Sequence, residues 1–243
     1  MEDKRVQLLS QTESLLARDG FSIIRTTGNE WVIFDLIAKD EDRRFILKVL
    51  YNVDTLKPLT AYQMIKLSRL LKANATIIGE RAGGGKLERG VVYYRHGVPI
   101  SSIETFKDYL EGDEPYVYSG PGGFYVHIDG EAIKRKRSEV KLSIGNISSY
   151  LGVSRRSVSL YENGSAATID IFLKLQELLK ANIISQTDLF SIDSKINVPD
   201  EAITDEYLIR ILDMFLNFGM ESHPLLKAPF DIVAKDDPAY TFL

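Results

Sequence analysis

Arg155 and Arg156 stand side by side after Ser154, at the start of a short segment, Arg155–Glu162, that Asn163-Gly164 closes. Arginine carries a planar fork of donors that matches phosphate oxygens and also the O6/N7 edge of guanine. Ser143, Ser154, Ser157, Ser159 and Asn163 flank the pair in sequence. The short polar groups of Ser143, Ser154, Ser157 and Asn163 can hold a phosphate where the backbone already runs close to it. Leu160 can touch a thymine methyl group but cannot hydrogen-bond a base edge. This set suits non-covalent recognition of a DNA duplex.

Two short helices must carry these groups. Ser143 is an N-cap candidate, and Ile144, Ile147 and Leu151 follow at helical spacing. Gly152 can take the left-handed turn, and Ser154 is a second N-cap. The helix it opens turns Val158 and Tyr161 inward and Arg155, Arg156, Ser157 and Ser159 outward. Such a pair, with arginine and serine at the exposed start of its second helix, fits the major groove. Between Glu131 and Asn163 seven basic residues (Lys134, Arg135, Lys136, Arg137, Lys141, Arg155, Arg156) face three acids (Glu131, Glu139, Glu162), so 7 − 3 = +4. On a chain of net charge −4, that local stripe implies a focused phosphate-binding face.

These residues resemble the helix-turn-helix of the Cro/CI (phage-repressor) type. The resemblance rests on Leu142-Ser143, Gly152-Val153-Ser154, Tyr161-Glu162-Asn163-Gly164 and the apolar run from Ile169 to Leu178. It implies that Arg155 and Arg156 read base edges and that Ser143, Ser154, Ser157 and Asn163 hold phosphates. Ile144 and Gly145 depart from the family pattern, which commonly has Gln and a helix former there. Leu160 also departs, at a position that is often polar.

Upstream, the order α-β-β-β-α-β-β-α spans a helix at 3–19, strands at 21–25, 31–39 and 44–51, a helix at 60–71, strands at 75–79 and 90–95, and a helix at 102–110. It is similar to the restriction-endonuclease-like fold, especially to archaeal Holliday-junction resolvases. That resemblance puts Asp35 at the metal-binding Asp and Ile46-Leu47-Lys48 at Glu-x-Lys. Isoleucine cannot donate oxygen to a hard cation. A catalytically dead module is therefore expected, with no catalytic residue, metal or cofactor, Glu13 as a relic ligand, and Asp35 and Lys48 as a structural ion pair. Gly83–Gly85 lacks the sequence of a phosphate loop and reads as a flexible connection.

The composition, 44% hydrophobic and 26% charged over 243 residues, is that of a globular protein. No apolar run is long enough to span a membrane, and the N-terminus shows no signal pattern. Cys is absent, which excludes disulfides and thiolate metal sites and fits a cytoplasmic location. His96, His127 and His223 are scattered and read as structural or exposed. The boundaries expected are 1–112 for the nuclease-like domain, 113–128 for a linker rich in Gly, Pro and acid, 129–187 for the helix-turn-helix domain, and 203–243 for a partial second nuclease-like module.

That last assignment comes from a repeat. Phe34–Asp40 is FDLIAKD and Phe230–Asp236 is FDIVAKD, offset by 230 − 34 = 196 residues. The fold class is therefore an α/β nuclease-like module, an all-α Cro/CI-type helix-turn-helix domain and the start of a second nuclease-like module. This order looks like a family of provisionally assigned archaeal transcriptional regulators. A regulator binding double-stranded DNA as a homodimer on a palindromic operator is expected. The alternatives are a nuclease targeted by its helix-turn-helix and a non-enzymatic interaction module.

Overall fold

The computed structural model describes residues 2–26, 32–199, 203–236 and 239–242. The chain begins with α1 (Glu2–Arg18), β1 (Ser22–Arg25), β2 (Leu36–Lys39), β3 (Arg44–Asn52), α2 (Pro58–Leu71), β4 (Asn74–Ala82), β5 (Gly85–Lys86), β6 (Val91–Arg95), β7 (Val98–Ser101) and α3 (Ile103–Leu110). It continues through β8 (Val117–Gly120), β9 (Gly123–Val126), α4 (Gly130–Glu139), α5 (Ile144–Leu151), α6 (Arg155–Glu162), β10 (Ala167–Thr168) and α7 (Ile169–Leu179). It ends with α8 (Glu206–Asn217), β11 (Glu221–Pro224), β12 (Ile232–Asp236) and β13 (Ala239–Phe242).

The first unit is a sheet covered on both faces. Alternation along β3 sends Phe45, Leu47 and Val49 into a core with Leu8, Leu9 and Leu16 of α1 and Phe106 of α3. The intervening Ile46 and Leu50 join a second core with Met64, Ile65 and Leu67 of α2. α2 is the crossover that makes β3 and β4 parallel neighbours. The strands lie in the order β1-β2-β3-β4-β7-β6-β8-β9-β10, with β5 paired to β4.

Several expectations change here. The apolar run Trp31–Lys39 forms a strand only from Leu36 on. Ile33 and Phe34 are fully buried without strand pairing, and Trp31 and most of the expected turn at 26–29 lie outside the described residues. Burial, which periodicity cannot separate from strand pairing, explains that run. Gly83–Gly85 is not a loose connection. Gly83-Gly84 turns a tight hairpin in which Ala82 pairs with Gly85 and Arg81 with Lys86. The expected turn at 96–99 runs instead into β7. Its Pro99 is tolerated opposite Tyr94, where β6 and β7 pair.

The segment read as a linker, 113–128, contains a hairpin. β8 and β9 pair around the two-residue turn Pro121-Gly122, and β8 lies parallel to β6. Glycine and proline mark the turn of a strand pair here. The sheet thus runs from the first unit into the DNA-binding segment, where β9 pairs with β10. The connection after α7 is also built in. Leu189 and Phe190 enter the α1–α3 core, with the Phe190 ring 4.3 Å from the Tyr109 ring at a tilt of 38°, and Ile192, Ile196 and Val198 pack on the α2 side. Arg69 donates to the carbonyls of Ser194 at 3.2 Å and Ile196 at 2.7 Å.

Candidate nucleic-acid interface

Helices α4 to α7 close over a core of Ile133, Ile147, Leu151, Val158, Phe172, Leu175 and Leu179. Local sequence fixes the helix ends. Ser143 Oγ accepts from Asn146 N–H at 3.1 Å while Asn146 Oδ1 accepts from Ser143 N–H at 2.9 Å, a reciprocal capping box. Gly152, at φ 69°, ends α5 in the left-handed conformation. Ser154 Oγ then caps α6 by accepting from Ser157 N–H at 3.0 Å. The spacing of caps and glycine thus sets the angle at which α6 leaves α5.

An open groove lies between the N-terminal ends of α5 and α6. It is lined by Ser143, Ile144, Gly145, Arg155, Arg156, Ser159 and Arg137. Of the residues expected to contact DNA, Ser143, Arg155, Arg156 and Ser159 are brought together here, while Ser154, Ser157, Leu160 and Asn163 lie outside the lining. Ser154, Arg155, Arg156, Leu160 and Asn163 are exposed. The hydroxyls already have local partners. Ser143 Oγ is 2.6 Å from Asn146 Oδ1, Ser154 Oγ is 2.9 Å from Ser157 Oγ, and Ser159 Oγ donates to the Arg155 carbonyl at 3.2 Å. A phosphate contact from these serines has to share or displace such bonds.

Two features were not legible in the residue pattern. Gly145 leaves room for Arg155: a Cβ at that position would stand 3.3 Å from Arg155 Nη2. The missing side chain lets the guanidinium lie against the start of α5. Arg137 is also not a free member of the basic stripe. It forms an ion pair with Glu162, largely out of solvent, and donates to the Leu142 carbonyl at 3.2 Å. The hydrogen bond that Arg137 donates to Glu162 raises the Arg137 pKa above its ordinary value. This bond ties α4 to the C-terminal end of α6. Lys136 is bound to Glu139 at 2.7 Å, and that bond lowers the Glu139 pKa. Lys134, Arg135, Lys141, Arg155 and Arg156 are the exposed cations of the stripe.

The expected ion pair of Asp35 with Lys48 does not form. Asp35, fully buried, binds Arg5 of α1 at 2.6 Å and accepts from Val49 N–H at 2.7 Å. Arg5 Nε also donates to the Val49 carbonyl at 3.0 Å. Lys48 alternates onto the other side of β3, where its ammonium donates to the Val32 carbonyl at 2.7 Å. Glu13 is not beside Asp35 but binds Arg25 at 2.6 Å near the surface. Among the described residues no three His, Asp or Glu side chains gather as a metal site. The carboxylate at the position that the resemblance assigns to metal binding meets a guanidinium from the same chain.

Comparison with known proteins finds two family matches along the chain. Residues 5–115 match the PD-(D/E)XK superfamily domain, and residues 133–185 match the helix-turn-helix family. A Thermoplasma volcanium protein, provisionally named an HTH-type transcriptional regulatory protein, is 60% identical over 97% of this chain and 76% of its own length. The chain belongs to this archaeal regulatory-protein family. Members from Thermoplasma acidophilum (52% identical, 100% of this chain, 78% of the relative) and Methanocaldococcus jannaschii (36%, 95% and 72%) carry the same provisional name. In this family member the nuclease-like match contains Asp35 and Lys48 in their separated positions, and the helix-turn-helix match contains α5, α6 and the groove between them. Among the described residues no helix is long and apolar enough to cross a membrane.

Proposed function

We propose that this protein is a sequence-specific double-stranded-DNA-binding transcriptional regulator that works as a homodimer on a palindromic operator. One observation carries the reading. Arg155 and Arg156 are exposed at the start of a doubly capped helix, beside a groove whose far wall is the N-terminus of α5. Arg155 and Arg156 enter the major groove and read guanine edges. Ser143, Ser154, Ser157, Ser159 and Asn163 position the backbone, and Leu160 meets a thymine methyl group. Dimerisation follows from reach. One recognition helix covers only a few base pairs, and a twofold pair places two of them one helical turn apart, about 34 Å.

The nuclease-like domain serves as a non-catalytic scaffold in this reading. Ile46 supplies no oxygen for a metal, and Arg5 neutralises Asp35. Selection of binding sites from random duplexes should return a palindrome with two half-sites. Incubation of the same protein with Mn²⁺ should leave supercoiled, branched and single-stranded DNA intact. Binding without any preferred sequence would sink the regulator reading. Cleavage that Asp35→Ala abolishes would replace it with the nuclease alternative.

A further inference from the structure

The repeat seen in the sequence is also a repeat of backbone hydrogen bonds. α8, β11, β12 and β13 reproduce α1, β1, β2 and β3. Arg25 pairs with Leu36 in the first copy and Pro224 with Ile232 in the second, and each pairing steps on in the same register. Ile37 pairs with Ile46, and Val233 with Phe242, offset by 233 − 37 = 196 on both strands. Even the irregular contacts recur. Thr26 N–H donates to the Asp35 carbonyl at 3.0 Å, and Leu225 N–H to that of Asp231 at 2.8 Å. Both helices end at a left-handed glycine, Gly20 at φ 86° and Gly219 at φ 73°. Phe21 N–H bonds back to Leu16, as Met220 N–H does to Phe215.

The two copies touch, and one pair of equivalent residues, Phe34 and Phe230, meets where they do. Phe34 and Phe230 occupy the same place in the repeat, and their rings lie 6.1 Å apart at 44°. Ile37 and Val233, another equivalent pair, share the α2-side core, together with Leu225 and Ala228 from the second copy. Polar bonds fix the docking. Ile33 N–H donates to the Lys227 carbonyl at 2.9 Å, and Leu226 N–H donates to Gln63 Oε1 on α2 at 3.1 Å. Apolar burial alone is non-directional, so these backbone bonds set the orientation of one copy on the other.

We infer that the face of the first copy built from Ile33, Phe34 and Gln63 is a copy-on-copy docking surface. Its occupant is the chain's own second copy, through the stretch from Leu225 to Val233, about a local pseudo-twofold at Phe34 and Phe230. In a twofold pairing a residue meets its own equivalent near the axis, as Phe34 meets Phe230. Here a single chain supplies both sides, so this surface is filled within each molecule and does not join two chains.

Amide hydrogen exchange on the full chain tests this, because Ile33 and Leu226 report the interface directly. Phe230→Ala should lower protection at both amides and leave those of α4 to α7 unchanged. Gln63→Leu, which removes the acceptor, should lower it at Leu226. Protection at both should be the same at low and high protein concentration. Phe34 is almost fully buried, so Phe34→Leu is the partner variant for a double-mutant cycle. Its effect and that of Phe230→Ala should be coupled by about twofold or more. An unaltered Ile33 amide in Phe230→Ala would overturn the docking, and strictly additive effects would overturn the Phe34–Phe230 pairing. Protection that rises with concentration would place the second copy on another chain and contradict the proposal.

Discussion

The two copies of the α-β-β-β repeat share a backbone but have diverged in chemistry. In the first, Asp35 is sealed and bound by Arg5; in the second, the equivalent Asp231 is exposed. In the first, α1 buries Leu8, Leu9, Leu15 and Leu16 beneath α3 and the Phe190 segment. In the second, α8 buries Phe215 against Ile232 and Ala234, while Tyr207, Leu216 and Phe218 are exposed. The turn glycine and the strand register have therefore stayed fixed while the surroundings of the carboxylate changed. Backbone geometry in this unit is set by short local signals. The fate of the aspartate is set by a residue far away in sequence, such as Arg5.

The largest difference should appear when the aspartates are changed. Asp35→Asn leaves Arg5 as a buried, unpaired cation and should cost about 3–5 kcal/mol. Asp231→Asn, at an exposed site, should stay within about 0.5 kcal/mol. Denaturant titration of both variants checks this, and equal losses would mean that the two copies bury their carboxylates alike. A smaller effect should come from the turns. Alanine at Gly20 or Gly219 is forced into the left-handed region, at a cost of about 1–2 kcal/mol each. Hydrogen exchange should show the Gly219→Ala loss confined to α8 and β11–β13. Global loosening would mean that the second copy is as deeply integrated as the first.

Much of this was legible in the sequence, and the reasons are local. Ser143, Gly152, Ser154 and Asn163-Gly164 are cap signals that act over a few residues, and they bound α5 and α6 as expected. The FDLIAKD/FDIVAKD repeat marked two units that share one register. The failures are non-local. Arg5 reaches Asp35 only after α1 folds over the sheet, 30 residues away in the chain. Arg137 looked like one of a run of DNA-facing cations until α6 brought Glu162 to it. The linker composition at 113–128 hid the β8–β9 hairpin because its partner, β6, lies earlier in the chain.

The smallest predicted effect concerns pH, at the hairpin that joins the two halves of the sheet. His127 is half-buried and stacks 4.6 Å from Tyr118. Burial lowers its pKa below 6.5. Its neutral form is therefore favoured in the folded state. That stability is present above the unfolded pKa of about 6.5 and is lost as pH falls from there through the folded value. His127→Phe should flatten the stability profile in this window. An unchanged acid slope would assign the sensitivity to another group.

Sequence reading by α6 is the central claim, and competition binding of Arg155→Ala and Arg156→Ala tests it most directly. The wild-type protein and both variants should be titrated against the selected operator and its single-base variants at several salt concentrations. A base-reading arginine predicts a loss of about 1–3 kcal/mol on the operator and a relaxed preference at one position of each half-site. If both variants instead weaken every sequence equally and only reduce the salt slope, by about one unit, the arginines touch phosphate alone and the account of α6 as the reading helix is contradicted.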